Sequence, residues 1–248
     1  MPRYFLEVSY RGTNYSGFQL QKNAITIQSE IEKAFKILQR DEVFMTGSSR
    51  TDAGVHSLQN FLHFDYEKEI HPHFIYKVNS ILPGDIVIKD LVRVKPDAHC
   101  RFDAVNREYK YYIYRQKNPF LKDRAYYYPY KLDIVKMENA AEMITNYQDF
   151  TSFSKRRTQV KSFICKVEES KWLKENNGLV YYIKADRFLR GMVRALVATI
   201  LLVGRGKISI EDFKTIIEQK DCTKANFAAP SQGLFLISVN YPEGYFPD

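Results

Sequence analysis

Cysteine is scarce in this chain and is never paired. Cys100, Cys165 and Cys222 lie far apart with no C-x-x-C spacing, which argues against a disulfide framework and against a zinc site built on thiolates. A reducing cytosol is the compartment expected of such a chain. Long apolar runs are missing too. The longest aliphatic stretch, Ala195 to Val203 with Thr199 inside it, is too short to span a bilayer. The opening residues, Met1-Pro2-Arg3-Tyr4-Phe5-Leu6-Glu7, contain no apolar signal core. There is no phosphate-cradling glycine loop of the P-loop or dinucleotide type, no tandem repeat and no low-complexity stretch. His56, His63 and the His71-Pro72-His73 run lack a Cys or carboxylate framework at ligand spacing, so no metal and no cofactor are expected.

What is abundant is aromatic and basic. Eighteen Tyr and 17 Phe stand against one Trp, a composition that suits a β-rich core or surfaces on which bases stack. The formal net charge of +8 favours a polyanionic partner without choosing between RNA, DNA and an anionic membrane. A length of 248 residues fits one large domain or two intimately packed halves.

Periodicity outlines the elements. Tyr4, Leu6, Val8 and Tyr10 alternate with Phe5, Glu7, Ser9 and Arg11, the period of a strand. Thr26 is placed to cap a helix carrying Ile27, Ile31, Ala34, Phe35 and Leu38 on one face. A strand is predicted near 58–66, and a short helix from Pro72 to before Pro83-Gly84. Residues 107–115 form the clearest strand, with Tyr109, Tyr111 and Ile113 on one face. Asp133 then caps a helix with apolar Val135, Met137, Ala140, Ala141 and Ile144. Strands are expected at 162–170, 179–185 and 234–240. Between the last two, helices are expected at about 188–203 and after Ser209, and Val203-Gly204-Arg205-Gly206 reads as a helix end. Helices neither alternate regularly with strands nor segregate from them, which predicts an α+β fold on a mixed or antiparallel sheet. The longest irregular segment, Gln116 to Tyr130, is rich in aromatics and reads as a weak boundary, not as a linker.

One loop stands out for its chemistry. Small residues Gly47-Ser48-Ser49 and Ala53-Gly54 flank Arg50-Thr51-Asp52, leaving room for a bulky ligand beside the Asp52 carboxylate. In an extended segment residues two apart face the same way, so Arg50 could pair with Asp52 and keep it ionised and oriented as a nucleophile requires. Taken alone, R-x-D reads better as an ordinary loop salt bridge. Basic residues recur elsewhere. Arg187, Arg190 and Arg194 fall at i, i+3 and i+7 of one predicted helix, hence on one face. Lys155-Arg156-Arg157 with Lys161 makes a second run. Both are candidates for phosphate contact, against the alternative of a solvated surface.

The longer string Arg50-Thr51-Asp52-Ala53-Gly54-Val55-His56 resembles the catalytic loop of the tRNA pseudouridine synthase A family. The resemblance covers nearly the whole chain: Tyr10 to Gln19, Asn79 to Pro83, Arg107-Glu108-Tyr109-Lys110-Tyr111, Phe188 to Arg194, Val203 to Gly206, and Ala229-Pro230 to Leu236. Three departures are visible: Arg11 stands where Asp is usual, Ser48-Ser49 where Ala-Gly is usual, and Cys100 where Ala is common. The resemblance implies a pseudouridine synthase fold of two similar halves, 1–105 with the catalytic loop and 106–248, packed as one unit, and isomerisation of uridine to pseudouridine at positions 38, 39 and 40 of the tRNA anticodon stem-loop. Asp52 is then the nucleophile, attacking C1′ or C6, with Arg50 in support and Tyr109 stacking on the uracil; Tyr111 is the alternative should the register differ. It further implies tRNA as partner, a homodimer and a cytoplasmic protein. Other classes are an RNA-binding protein without activity and a glycosidase. The intact Arg50, Asp52 and Tyr109 argue against the first, and the lack of a second carboxylate in the loop argues against the other.

Overall fold

The computed structural model describes residues 1–156, 160–175 and 178–247. The fold is α+β, and the chain forms two compact units, one of residues 1–105 together with the segment from Leu236 onward, the other of residues 106–235. Arg157 lies outside the described residues.

The first unit is built on β1 (Arg3–Tyr10), α1 (Ile27–Gln39), β2 (Thr46–Gly47), β3 (His56–Asp65), α2 (Phe74–Ile81) and β4 (Ile86–Val94). β1 lies between β3 and β4, antiparallel to both, with Leu6 opposite Leu62 on one side and Leu91 on the other. β2 pairs with the far end of β3, Thr46 opposite His63. The alternation read in β1 sends Leu6, Val8 and Tyr10 into a core with Ile27, Ile31 and Phe35 of α1 and Phe74 and Val78 of α2. Each such side chain contributes roughly 1.5–3 kcal/mol on burial. Thr26 caps α1 as expected: its side chain accepts from Ser29 N–H and Ser29 answers back to the Thr26 amide. α2 begins two residues later than Pro72, after His73.

The second unit holds β5 (Asn106–Tyr114), β6 (Tyr126–Tyr127), α3 (Ile134–Met143), β7 (Val167–Glu175), β8 (Gly178–Ala185), α4 (Met192–Gly204) and α5 (Ile210–Glu218). β8 runs antiparallel between β5 and β7, and β6 joins β5 in parallel, which makes the sheet mixed. Asp133 caps α3, and Met137, Ala140, Ala141 and Ile144 are buried, whereas Val135 is exposed. The apolar run of α4 is buried all round. Its end is a left-turning cap in which Gly206 N–H donates to the Val203 carbonyl and Lys207 N–H to Leu202.

Two expectations fail. The strand expected at 162–170 runs from Val167 to Glu175. Phe163 and Cys165 alternate as a strand would, but they bond backbone to backbone with Phe150 and Gln148 instead of joining the β8 ladder. The helix expected from about 188 starts at Met192, because Gly191 before it holds φ at +75°, a left-handed conformation that does not continue into a helix.

A last strand, β9 (Leu234–Asn240), neighbours β3 in the first unit. Ser57 Oγ donates to the Leu236 carbonyl, Val239 N–H to Gln59 Oε1, and Val105 N–H to the Asn240 carbonyl. After it, Tyr241 and Phe246 pack on Phe5 and Phe61.

Candidate active site

The loop between β2 and β3 is fastened to its surroundings along most of its length. Ser48 N–H donates to the Phe61 carbonyl. Asn60, fully buried, receives the Ser49 amide on its Oδ1 and donates its Nδ2 to the Ser49 carbonyl at 2.9 Å. Thr51 turns inward, where its hydroxyl meets that of Tyr10 at 2.8 Å, and its carbonyl accepts from Phe18 N–H. The Val55 amide closes a turn onto the Asp52 carbonyl, and the His56 imidazole Nδ1 accepts from Gly12 N–H. Asp52 is left half-buried at the crest, with Arg50 exposed beside it.

The 10–19 segment earns its glycines here. Gly17 has φ +104°, and a Cβ there would stand 3.0 Å from the Thr51 carbonyl oxygen. A Cβ on Gly12 would collide with the Val55 carbonyl. Backbone thus lies on backbone beneath the loop, an approach only glycine permits. Tyr10 itself is buried, and burial pushes its hydroxyl pKa up to about 12, against the lowering effect of its Thr51 and Asn60 hydrogen bonds. It stays a neutral hydrogen-bonding group.

The expected ion pair between Arg50 and Asp52 is not formed among the described residues. The extended geometry it needs ends at Thr51, since Asp52 already begins the turn to Val55. Arg50 instead lines a pocket of about 280 Å³ with Phe18, Leu20, Gln28, Met45 and Gly47. At the 10–19 segment's outer end, Arg11 is exposed, and the Tyr15 hydroxyl and Asn14 amide both donate to Asp85. Ser48, where Ala is usual, buries a hydroxyl without a hydrogen-bond partner among the described residues.

In the second unit, Tyr109 is half-buried on β5, its ring edge-on to Phe188 at 5.0 Å. Tyr111 is excluded as a stacking residue: it is fully buried, and its hydroxyl donates to the Pro230 carbonyl at 2.7 Å. The arginine ridge is corrected. Only Arg194 lies on α4, while Arg187 and Arg190 precede Gly191 in the turn before it. Arg194 Nε donates to the Ala229 carbonyl at 2.7 Å, a tie between α4 and the Ala229-Pro230 segment. Arg190 is exposed and Arg187 half-buried. Lys155 N–H donates to the Arg190 carbonyl, which joins the two basic runs, and Arg156 and Lys161 are exposed.

Sequence spacing missed the Tyr10–Thr51 contact, the Asn60 clasp and a convergence of His63 with His99 and Cys100. All link residues distant in the chain and carry no local signal. His71 and His73 lie near the start of α2, where the Lys77 ammonium donates to His71 Nε2.

The first unit presents a pinned Asp-bearing loop and the second a half-exposed Tyr on its first strand, and comparison with known proteins gives the class. The family model for tRNA pseudouridine synthase matches residues 7–103 and 140–242. The chain belongs to that family. A curated relative from Parabacteroides distasonis, tRNA pseudouridine synthase A, is 45% identical over all of this chain and 99% of its own length. The protein of that name from Bacteroides fragilis is 48% identical over 98% of both chains. The one from Staphylococcus saprophyticus is 39% identical over 96% of this chain and 90% of its own.

Proposed function

We propose that this protein isomerises uridine to pseudouridine in the anticodon stem-loop of tRNA, at positions 38, 39 and 40, with Asp52 as nucleophile. The observation that carries the reading is the loop itself. In a member of the tRNA pseudouridine synthase family, Asp52 sits half-exposed while its neighbours Thr51 and Val55 are tied down. A carboxylate so held is pre-oriented for attack.

The reaction breaks the C1′–N1 bond, turns the base and joins C1′ to C5; the C5 proton leaves to solvent and N1 takes one up. No atom is gained or lost, so no cosubstrate is required. Asp52 supplies the nucleophile at C1′ or C6. Extruding the target base from its stack costs a few kcal/mol. Stacking on Tyr109, worth roughly 1–3 kcal/mol, and phosphate contacts from Arg156, Arg187 and Arg190 offset it. Arg50 contributes positive charge beside the loop. The chain's +8 charge suits a polyanionic substrate. A homodimer in the cytoplasm completes the reading; among the described residues no helix is long and apolar enough to cross a membrane.

The test uses tRNA carrying tritium at uridine C5. Tritium release by the intact protein and none by Asp52→Ala is expected. Release that survives Asp52→Ala would remove Asp52 from the chemistry, and free uracil in place of pseudouridine would make the protein a glycosidase.

A further inference from the structure

We propose that His63, His99 and Cys100 form a site for a thiophilic divalent cation, zinc by preference. One ligand atom from each lies within 4.8 Å of the other two. His63 Nδ1 and Cys100 Sγ are already 3.1 Å apart, and the two imidazole rings lie 4.6 Å apart between centroids. Tetrahedral zinc, with bonds of roughly 2.0 Å to nitrogen and 2.3 Å to sulfur, sets ligand–ligand edges of about 3.3–3.5 Å. The His63–Cys100 edge therefore needs to open by a few tenths of an ångström and any wider edge to close, a modest adjustment.

The fold converges on this point from three segments. His63 lies on β3, Thr46 stands opposite it on β2, and His99-Cys100 begin the turn after β4. That turn is held independently of any ion. Arg3 Nη1 donates to the Ala98 carbonyl, the Tyr241 hydroxyl to the Cys100 carbonyl, and Asp103 accepts from both the His99 amide and the Tyr245 hydroxyl. His63 and Cys100 are buried and His99 is half-buried, so an ion has a route from the His99 side.

The donor set selects the ion. One thiolate and two imidazoles suit zinc or cobalt(II), whereas calcium and magnesium require oxygen ligands. Binding costs Cys100 its proton, released to solvent; the thiol now donates to the Thr46 carbonyl at 3.1 Å. His99 must also commit a ring nitrogen to the ion. Its Nδ1 accepts from the Arg101 and Phe102 amides at 3.2 and 3.3 Å, so coordination through Nδ1 breaks these two long contacts and coordination through Nε2 polarises them. The site is therefore weaker than a preformed four-ligand zinc centre. Its effect falls on β2, β3 and the 98–103 turn, and it is independent of the proposed reaction.

The probe is cobalt(II) added to full-length, chelator-treated protein. One equivalent is expected to produce a near-ultraviolet thiolate-to-cobalt charge-transfer band with the strong visible absorption of tetrahedral cobalt. Zinc should displace it. The band should vanish in Cys100→Ala, weaken in His99→Ala and persist in Cys222→Ala. In ¹⁵N spectra, zinc should shift the Arg101 and Phe102 amides. Absence of the band, or its survival in Cys100→Ala, overturns the site and leaves a buried hydrogen-bonded cluster. Should Cys100→Ala not fold, His99→Ala decides: an undiminished band there overturns the proposal equally.

Discussion

Replacing Tyr10 by Phe deletes one oxygen from beneath the Asp52 loop and leaves the ring, with its contact to Phe18, in place. Thr51, 8% exposed, then keeps a buried hydroxyl whose partner at 2.8 Å is gone, and the Asn60 amide loses its longer contact to the same oxygen. Leaving such a group unsatisfied costs about 1–3 kcal/mol. Part of this appears as lower global stability. The rest frees the loop locally, and a misplacement of order 1 Å at a reacting group lowers turnover by up to about 100-fold. We expect Tyr10→Phe to lower the single-turnover rate of tritium release by about 10- to 100-fold per folded molecule, and Thr51→Val to do much the same. The double variant should be little worse than either, since both remove one bond. A second arm uses pH. Burial holds the folded-state pKa near 12, above the ordinary value of about 10. The folded protein thus keeps a proton that the unfolded chain sheds between these values. The contribution is intact below about pH 10 and is lost as pH rises through 12, worth about 2–3 kcal/mol in all. Tyr10→Phe should flatten this part of the alkaline stability profile. A Tyr10→Phe protein that turns over at the wild-type rate per folded molecule would refute the claim that this bond positions Asp52.

Gly12→Ala should abolish turnover or folding, because its Cβ meets the Val55 carbonyl, a backbone atom that cannot yield alone; tritium release with circular dichroism distinguishes the two. Ser48→Ala should be neutral or stabilising by up to about 1 kcal/mol, since it removes a buried hydroxyl without a partner among the described residues, as thermal melting would show. Tyr109→Ala should weaken tRNA binding or turnover by about 5- to 150-fold, and Tyr109→Phe should retain most of the stacking. Charge reversal at Arg156 or Arg187 should reduce the slope of log affinity against log salt by about one each. Arg194→Ala should leave that slope alone and lower the melting temperature, because its guanidinium serves the Ala229 carbonyl.

What the sequence made legible was local or carried by a long motif. β1 and β5 alternate with little interruption, and Thr26, Asp133 and Ser209 each announce a helix start that the hydrogen bonds bear out. The errors share a cause. Phe163, Cys165, Phe188 and Leu189 continue an apolar pattern beyond the element it was assigned to, because loops that pack on a core need buried residues as much as strands and helices do. Charge hid the true end of β7, where Lys171, Lys174 and Glu175 extend the ladder against β8. The Arg50–Asp52 pair failed for a related reason: a two-residue spacing specifies a shared face only while the chain stays extended. The Asn60 clasp, the Tyr10 hydroxyl and the His63–His99–Cys100 convergence join residues from 11 to 41 positions apart and depend on how strands and the turns between them fold back on each other.

The order in which the first unit's pieces occur along the chain has a consequence for how the protein is made. β9 borders β3, yet it is synthesised only after nearly all of the second unit. Until then β3, the strand that follows the Asp52 loop, lacks a neighbour, and Phe5 and Phe61 lack the cover of Tyr241 and Phe246. A nascent chain therefore carries its complete RTDAGVH string long before the scaffold behind it can close. The loop's own ties come from residues 10–61, so a chain interrupted before residue 234 should make them on a β3 that still lacks one neighbour.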